Sequence, residues 1–343
     1  MKKLLNTLYV TLPDAYLARE DENILVRIKD EIKFRIPIHN LESIVSFGYT
    51  GASPSLMSLC AQRGVGLSFI TENGYFLARV TGRVNGNVLL RRKQYRLADN
   101  PEESLYLANH FIIGKIANGR SVLMRAIRDH EKVIQSEEVL CAISQLTRNL
   151  QKIENATCMD SLRGIEGDSA RTYFGVFDHL ILTNKADFFF NERNKRPPLD
   201  NMNALLSFLY TLLAHDIESA LESVGLDPAV GFLHTDRPGR SSLALDMMEE
   251  LRPYLADRLA LSLVNRSQVS KDGFSYSEAG GVTMSDETRK TVITSWQKRK
   301  QEEITHPFLN EKISIGLIPY AQAMLLARFI RSDLDAYPPF FSK

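Results

Sequence analysis

Apolar residues recur with a period of two at the front of this chain, and with a period of three to four over most of the rest. Between residues 7 and about 46, Leu8 and Val10, then Ile24, Val26 and Ile28, then Ile32, Phe34 and Ile36 alternate with polar neighbours. Successive side chains of a strand point to opposite faces, so this pattern predicts successive antiparallel strands. The breaks at Glu20-Asp21-Glu22-Asn23 and Lys29-Asp30-Glu31 supply polar turns. Ser53 and Gly64 bracket a predicted short helix as its N-cap and C-terminal stop. Residues 66–70 and 75–80 read as two more strands around a hairpin signal at Asn73-Gly74.

Past Arg96 the period changes. Asn100-Pro101-Glu102-Glu103 joins a capping side chain, a proline in the first turn and acids at the positive end of the helix dipole. From there helices are predicted at about 101–117, 119–133, 136–155, 159–182, 202–223, 241–257, 286–303 and 319–333. Polar segments with Gly or Pro near 185–200 and 265–285 read as loops. The expected fold is α+β and multidomain: a β-rich, antiparallel N-terminal domain over residues 1–95, then an all-α catalytic domain over 96–343. The basic cluster Arg91, Arg92, Lys93 and Arg96 lies at the boundary.

At 343 residues the chain has room for two substantial cores. Its formal net charge of +1 gives no global field to attract nucleic acid, so any such interface must be a local basic face. The three cysteines, Cys60, Cys141 and Cys158, are dispersed and odd in number, which fits a reducing compartment and argues against a disulfide framework or a thiolate zinc site. The apolar run at residues 204–214 is too short to span a bilayer, and Asn6 and Thr7 interrupt the apolar start of the chain. A soluble, cytoplasmic protein without a membrane partner is expected.

Three separated segments carry residues suited to chemistry. In the first, Gly164 and Gly167 flank Glu166 within a predicted helix, where each glycine costs about 1 kcal/mol relative to alanine. Either helix packing or the approach of a ligand to Glu166 would explain them. In the second, His234 ends an apolar run inside the turn-rich stretch from Gly231 to Arg240. In the third, Asp246, Glu249 and Glu250 are spaced i, i+3 and i+4 and so share the polar side of one helix, which in isolation reads as a solvated acidic face. Taken together, a carboxylate, an imidazole and a further carboxylate suit Mg²⁺ or Mn²⁺ and phosphoryl chemistry. The sequence has no P-loop, G-x-S-x-G or H-E-x-x-H, and no G-x-G-x-x-G after a strand. His179 and His215-Asp216 read as structural. Arg91/Arg92/Lys93/Arg96 and Lys298/Arg299/Lys300 are candidate phosphate contacts, although such runs are usually solvated faces.

These segments resemble the CRISPR-associated endonuclease-integrase family of spacer acquisition. The resemblance rests on Gly164-Ile165-Glu166-Gly167 with Ala170-Arg171 and Tyr173-Phe174, and on the stretch from Arg196-Pro197-Pro198-Leu199-Asp200 to Asn203-Ala204-Leu205-Leu206-Ser207-Phe208. It continues through Gly231-Phe232-Leu233-His234 and Leu245-Asp246-Met247-Met248-Glu249-Glu250-Leu251-Arg252-Pro253, in family order and spacing. The front of the chain and Leu334-Asp335-Ala336-Tyr337-Pro338-Pro339-Phe340 look like the type I form, and specifically subtype I-C. The resemblance implies a homodimer that flanks a small nuclease partner of the adaptation complex and acts on double-stranded DNA, both the fragment and the CRISPR repeat. It implies Mg²⁺ or Mn²⁺ held by Glu166, His234 and an acid of the third segment. The family's D-x-x-D/E spacing puts that acid at Glu249, with Asp246 in support, while the adjacent Glu250 stays open as a ligand. The implied reaction is attack of a fragment's 3′-hydroxyl on a repeat-boundary phosphodiester. Arg237 and Arg240, beside His234, are candidate DNA contacts together with Arg91, Arg92 and Lys93. Two other readings use the same residues: a nuclease of branched DNA with water as nucleophile, and a non-catalytic subunit that binds DNA ends.

Overall fold

The computed structural model describes residues 7–12, 14–71, 76–80, 88–130, 133–134, 137–277 and 280–342. The Asn73-Gly74 hairpin signal and the first six residues lie outside them. The chain divides into two compact units, residues 1–86 with 286–302, and residues 87–285 with 303–343.

The first unit is β-rich, as its period of two predicts. Strands β1 (Thr7–Val10), β2 (Ala15–Glu20), β3 (Asn23–Ile28), β4 (Glu31–Pro37) and β5 (Ser43–Phe47) are followed by helix α1 (Pro54–Arg63), then β6 (Gly66–Ile70) and β7 (Phe76–Val80). Strands β2, β3 and β4 form the expected antiparallel meander, with Leu17 opposite Val26 and Val26 opposite Phe34. The second sheet, in the order β1-β5-β6-β7, departs from simple succession: β5 runs parallel to both β1 and β6, and only β7 is antiparallel. Such parallel ladders need crossovers, and α1 supplies the one between β5 and β6. Ser53 Oγ accepts from the Leu56 amide at 3.2 Å, so the predicted N-cap forms. Leu17, Ile24 and Val26 pack with Ile44, Leu56, Leu59 and Leu67 in the core. On edge strand β4 the apolar alternation stays outside, with Ile32 and Phe34 exposed.

The second unit is helical: α2 (Val88–Asp99), α3 (Pro101–Asp129), α4 (Glu137–Ile153), α5 (Met159–Gly175), α6 (Asn201–Val224), α7 (Ser242–Leu251) and α8 (Arg258–Asn265). Hairpin β8 (Phe274–Tyr276) and β9 (Val282–Met284) follows, and helix α9 (Asp286–Gln301) belongs to the first unit. Hairpin β10 (Glu303–Thr305) and β11 (Lys312–Ser314), then α10 (Ile318–Arg331), complete the helical unit. The two helices expected on either side of residue 118 are one, α3, capped by Asn100 Oδ1, which accepts from the Glu102 amide at 3.0 Å. The Asn118-Gly119 pair that suggests a break serves packing instead. Asn118 is fully buried and donates to the carbonyls of Glu250 and Phe340, and Gly119 leaves room for the Tyr173 ring. Helix α6 is long and apolar enough by composition to cross a membrane, but most of that stretch is buried as the core of this unit. From α7 the chain runs without a break through a π-helical turn, Arg252–Asp257, into α8.

Candidate active site

Helix α3 packs against both α5 and α7, and the loop between α6 and α7 closes over the same place. Two glycines set these approaches. A methyl group at Gly114 would fall 2.7 Å from Glu250 Cβ, so glycine lets α3 lie close against α7. At Gly231 it would fall 2.8 Å from Asp246 Oδ2 and 2.9 Å from the Ser242 backbone, so glycine lets the loop fold onto the start of α7.

The result is a pocket of about 530 Å³ lined by Glu166 from α5, His234 from the loop and Glu249 from α7. All three segments singled out in the sequence therefore meet. Lys115, from α3, stands between the acids: its Nζ donates to Glu166 Oε1 and lies 2.8 Å from Glu249 Oε2. Arg252 NH1 holds the other Glu249 oxygen at 2.7 Å. Burial opposes the charge on Glu249, but the Arg252 and Lys115 cations more than reverse it and hold its carboxyl at about 2. Burial likewise works against the Lys115 ammonium, yet the Glu249 and Glu166 carboxylates outweigh it and raise its pKa.

Asp246 and Glu250 do not line this pocket. Asp246 is fully buried and anchors the loop: its oxygens accept from the backbone amides of Phe232 (2.6 Å), Leu233 (3.0 Å) and His234 (2.9 Å). Oδ1 is also 2.6 Å from His234 Nδ1. That contact assigns the ring proton to Nδ1 and leaves Nε2 as the acceptor, the arrangement found behind metal-ligating histidines. Glu250 points elsewhere, into a buried network with Tyr337 Oη (2.6 Å), Gln322 Nε2 (3.1 Å) and the Phe340 amide (2.9 Å). Burial pushes its carboxyl up to about 7 against the pull of these three donors. The reading of Asp246, Glu249 and Glu250 as a solvated acidic face is thus corrected. All three are buried, because α7 is enclosed on every side by α3, α6, the loop and the C-terminal residues.

The helix-packing explanation of Gly164 and Gly167 is corrected too, since a methyl group at either would meet no atom within 4 Å. The space beside Glu166 is open. Of the candidate DNA contacts, Arg237 is exposed and Arg240 half-buried, and neither lines the pocket. Arg91, Arg92 and Lys93 lie on α2 and do not line the pocket. Arg91 donates to the Gly225 carbonyl and Lys93 to Ser332 Oγ, while Arg92, Lys93 and Arg96 line a second, shallower depression. Lys298, Arg299 and Lys300 fall on α9 in the other unit, with Arg299 paired to Glu302 and Lys300 buried.

Lys115, Arg163, Arg193, Lys195, Tyr210, Arg252 and Asp257 also line the pocket and were given no role in the sequence. Lys115 lies 51 residues before Glu166, with no local pattern to mark it. Arg252 and Asp257 sit five residues apart in the π-helical turn, and its wider winding brings both to one side. Asp257 accepts from Tyr210 Oη at 2.7 Å and Tyr173 Oη at 3.0 Å. Burial pushes its carboxyl up to about 6, despite those hydroxyls and the nearby Arg193 and Arg252.

Among the described residues no three His, Cys, Asp or Glu side chains close around one point at metal-binding geometry. The chemistry of the donors nonetheless fits a hard divalent cation. Two carboxylates and an imidazole share the pocket, and a cation, the Lys115 ammonium, already bridges the carboxylates. Glu249 Oε2, buried and facing that ammonium, accepts no well-formed hydrogen bond.

The fold and sequence both have known counterparts. A Cas1 protein from Thermotoga maritima superposes with a TM-score of 0.82 at 24% identity over 95% of this chain and 97% of that one. A casposase bound to integration product gives 0.85 at 18% identity over 99% and 95%. These share the β-rich N-terminal part and helical remainder. The CRISPR-associated endonuclease Cas1 1 of Chlorobaculum tepidum is 54% identical over 340 residues, 99% of each chain. The family profile for CRISPR associated protein Cas1 matches residues 8–298. With the pocket assembled from the motifs that carry this likeness, the chain belongs to the CRISPR-associated endonuclease Cas1 family.

Proposed function

We propose that this chain is a metal-dependent DNA integrase and endonuclease that inserts foreign DNA fragments into a CRISPR array. The observation that carries the reading is the convergence of Glu166, His234 and Glu249 on one pocket, with the histidine oriented by a buried carboxylate. Glu166, His234 and Glu249 would hold Mg²⁺ or Mn²⁺, which when bound stabilises charge on the attacked phosphate. Arg252 keeps Glu249 ionised and turned into the pocket, and Asp246 fixes both the path of the loop and the tautomer of His234. The open space at Gly164 and Gly167 admits a DNA strand beside Glu166. In the reaction, the 3′-hydroxyl oxygen of a fragment bonds to the phosphorus at the repeat boundary as the bond to the repeat strand's 3′-oxygen breaks, and the proton moves from attacker to leaving group through solvent. Phosphodiester bonds are conserved, so no nucleotide is consumed.

Family membership extends the proposal to assembly: a homodimer, in the cytoplasm, joined by the small nuclease of the adaptation complex on double-stranded DNA. Exposed Ile32 and Phe34 on an edge strand support self-association through the first unit. The finer placement in subtype I-C rests on the likeness of residues 334–340 alone.

The test is strand transfer of a labelled short duplex into a supercoiled plasmid bearing a CRISPR repeat, with the small nuclease added, in Mn²⁺ or EDTA. Joining by wild type that is lost in EDTA and in His234→Ala is expected. Joining that survives either would overturn the metal site. Cutting of branched DNA without joining would favour the repair-nuclease reading, and DNA-end binding without any cleavage the non-catalytic one.

A further inference from the structure

Besides the residues that would hold the metal, the pocket carries three further cations, Arg193, Lys195 and Arg252. Arg193 spends its terminal nitrogens on Asn203 Oδ1 (2.7 Å), Ser207 Oγ (3.0 Å) and the Asn194 carbonyl, but its buried Nε has no acceptor. Arg252 gives NH1 to Glu249, and its buried Nε also has none. The two guanidinium groups lie 5.2 and 5.1 Å from the centroid of the Tyr210 ring. Lys195 lines the same pocket and makes no hydrogen bond or ion pair with any described residue.

This grouping opposes itself. Among the described residues Arg193 makes no ion pair within 4 Å, and Arg252 shares its partner, Glu249, with Lys115; the nearby Asp257 is taken up by two tyrosine hydroxyls. Burial and the neighbouring Arg252 and Arg193 depress the Lys195 ammonium. Like charges and orphaned donors in a partly desolvated pocket cost stability unless an anion is present to take them up. The segment that bears Arg193 and Lys195 is nonetheless held firmly. Asn203 accepts from the Asn194 amide (3.2 Å) and donates to the Glu192 carbonyl (2.8 Å), and Asn194 Oδ1 accepts from the Leu199 amide (2.7 Å). A rigid support for buried cationic donors that lack an acceptor is a preorganised anion site.

We propose that Arg193, Lys195 and Arg252 form a phosphate subsite that grips a phosphodiester of the bound DNA strand next to the one under attack at Glu166, His234 and Glu249. The proposal rests on the DNA reading above and adds a positioning role that no nearby carboxylate can supply. Lys195 is its most informative member. Arg193 and Arg252 have packing duties on Tyr210, whereas Lys195 has no partner to lose among the described residues, so its replacement leaves the fold intact.

The experiment measures binding of a labelled branched duplex to the full-length chain in EDTA, so that no turnover occurs, while salt is raised from about 50 to about 200 mM. Lys195→Ala should bind about tenfold more weakly whatever the DNA sequence, and its plot of log affinity against log salt should be shallower by about one. Lys195→Arg should restore both. Lys312→Ala, at an exposed lysine outside the pocket, should match wild type. Wild-type affinity and salt slope in Lys195→Ala, or an equal loss in Lys312→Ala, would overturn the subsite while plasmid joining by wild type still upheld the integrase. Absence of DNA binding by wild type would remove both.

Discussion

Glu249 and Glu250 are neighbours in sequence and equally hidden from solvent, yet they sit in opposite surroundings. Glu249 faces the pocket between two cations and is held ionised at about 2. Glu250 faces the C-terminal residues among neutral donors and is pushed up to about 7. A buried carboxylate paired with charge remains available for chemistry, whereas one satisfied by hydroxyl and amide donors is a structural pin. Helix α7 therefore has a working side and a holding side, and substitutions on the two should fail in different ways.

The largest effect is expected on the working side. On the proposed metal site, Glu166→Gln should lower the rate of DNA joining on the order of a thousandfold, since a metal ligand supplies several kcal/mol of stabilisation in the transition state. Its melting temperature should stay near wild type, because Glu166 is partly exposed. A joining assay beside a thermal melt tests this, and a large drop in stability would erase the distinction between the two sides. Asp246→Asn comes next, with a loss of about 10- to 100-fold in activity or metal affinity. An amide cannot accept from three backbone N–H groups and His234 as a carboxylate does, so the melt should also shift downward.

On the holding side, Glu250→Gln should cost about 1–3 kcal/mol of stability, because its amide would face a donor, while joining per folded molecule stays near wild type. Denaturant titration with an active-site count separates these. Gly164→Ala should do the reverse, raising stability by about 0.5–1 kcal/mol through helix propensity while reducing joining severalfold, if a DNA strand uses the open space there.

The smallest effect concerns Asp257, which lines the pocket but is bound by two tyrosine hydroxyls like a holding-side acid. Its folded pKa of about 6 lies above the ordinary 3.8, so its stabilising contribution is complete below 3.8 and is lost as pH rises to about 6. The stability advantage of wild type over Asp257→Asn should therefore narrow between about pH 4 and 6.5 and stay level above it. Melts across that range test it, and an advantage that widened would assign Asp257 to the ionised, working class.

Much of this architecture is legible along the chain, because strand and helix periods and their caps are local. Ser53, Asn100 and the alternation of Ile24, Val26 and Ile28 depend on neighbours within a few residues. Glu166, His234 and Glu249 could likewise be picked out by the order of their motifs. What only the tertiary structure decided was orientation and company. Adjacent helical residues point about 100° apart, so Glu249 and Glu250 were equivalent until α3 and residues 337–340 packed against one flank of α7. Lys115, Arg193 and Lys195 were silent for the same reason, since a charge carries no local sign of the carboxylate or phosphate it will meet. The parallel pairing of β1, β5 and β6 was equally hidden, because alternation fixes which face of a strand is buried but not which strand lies beside it.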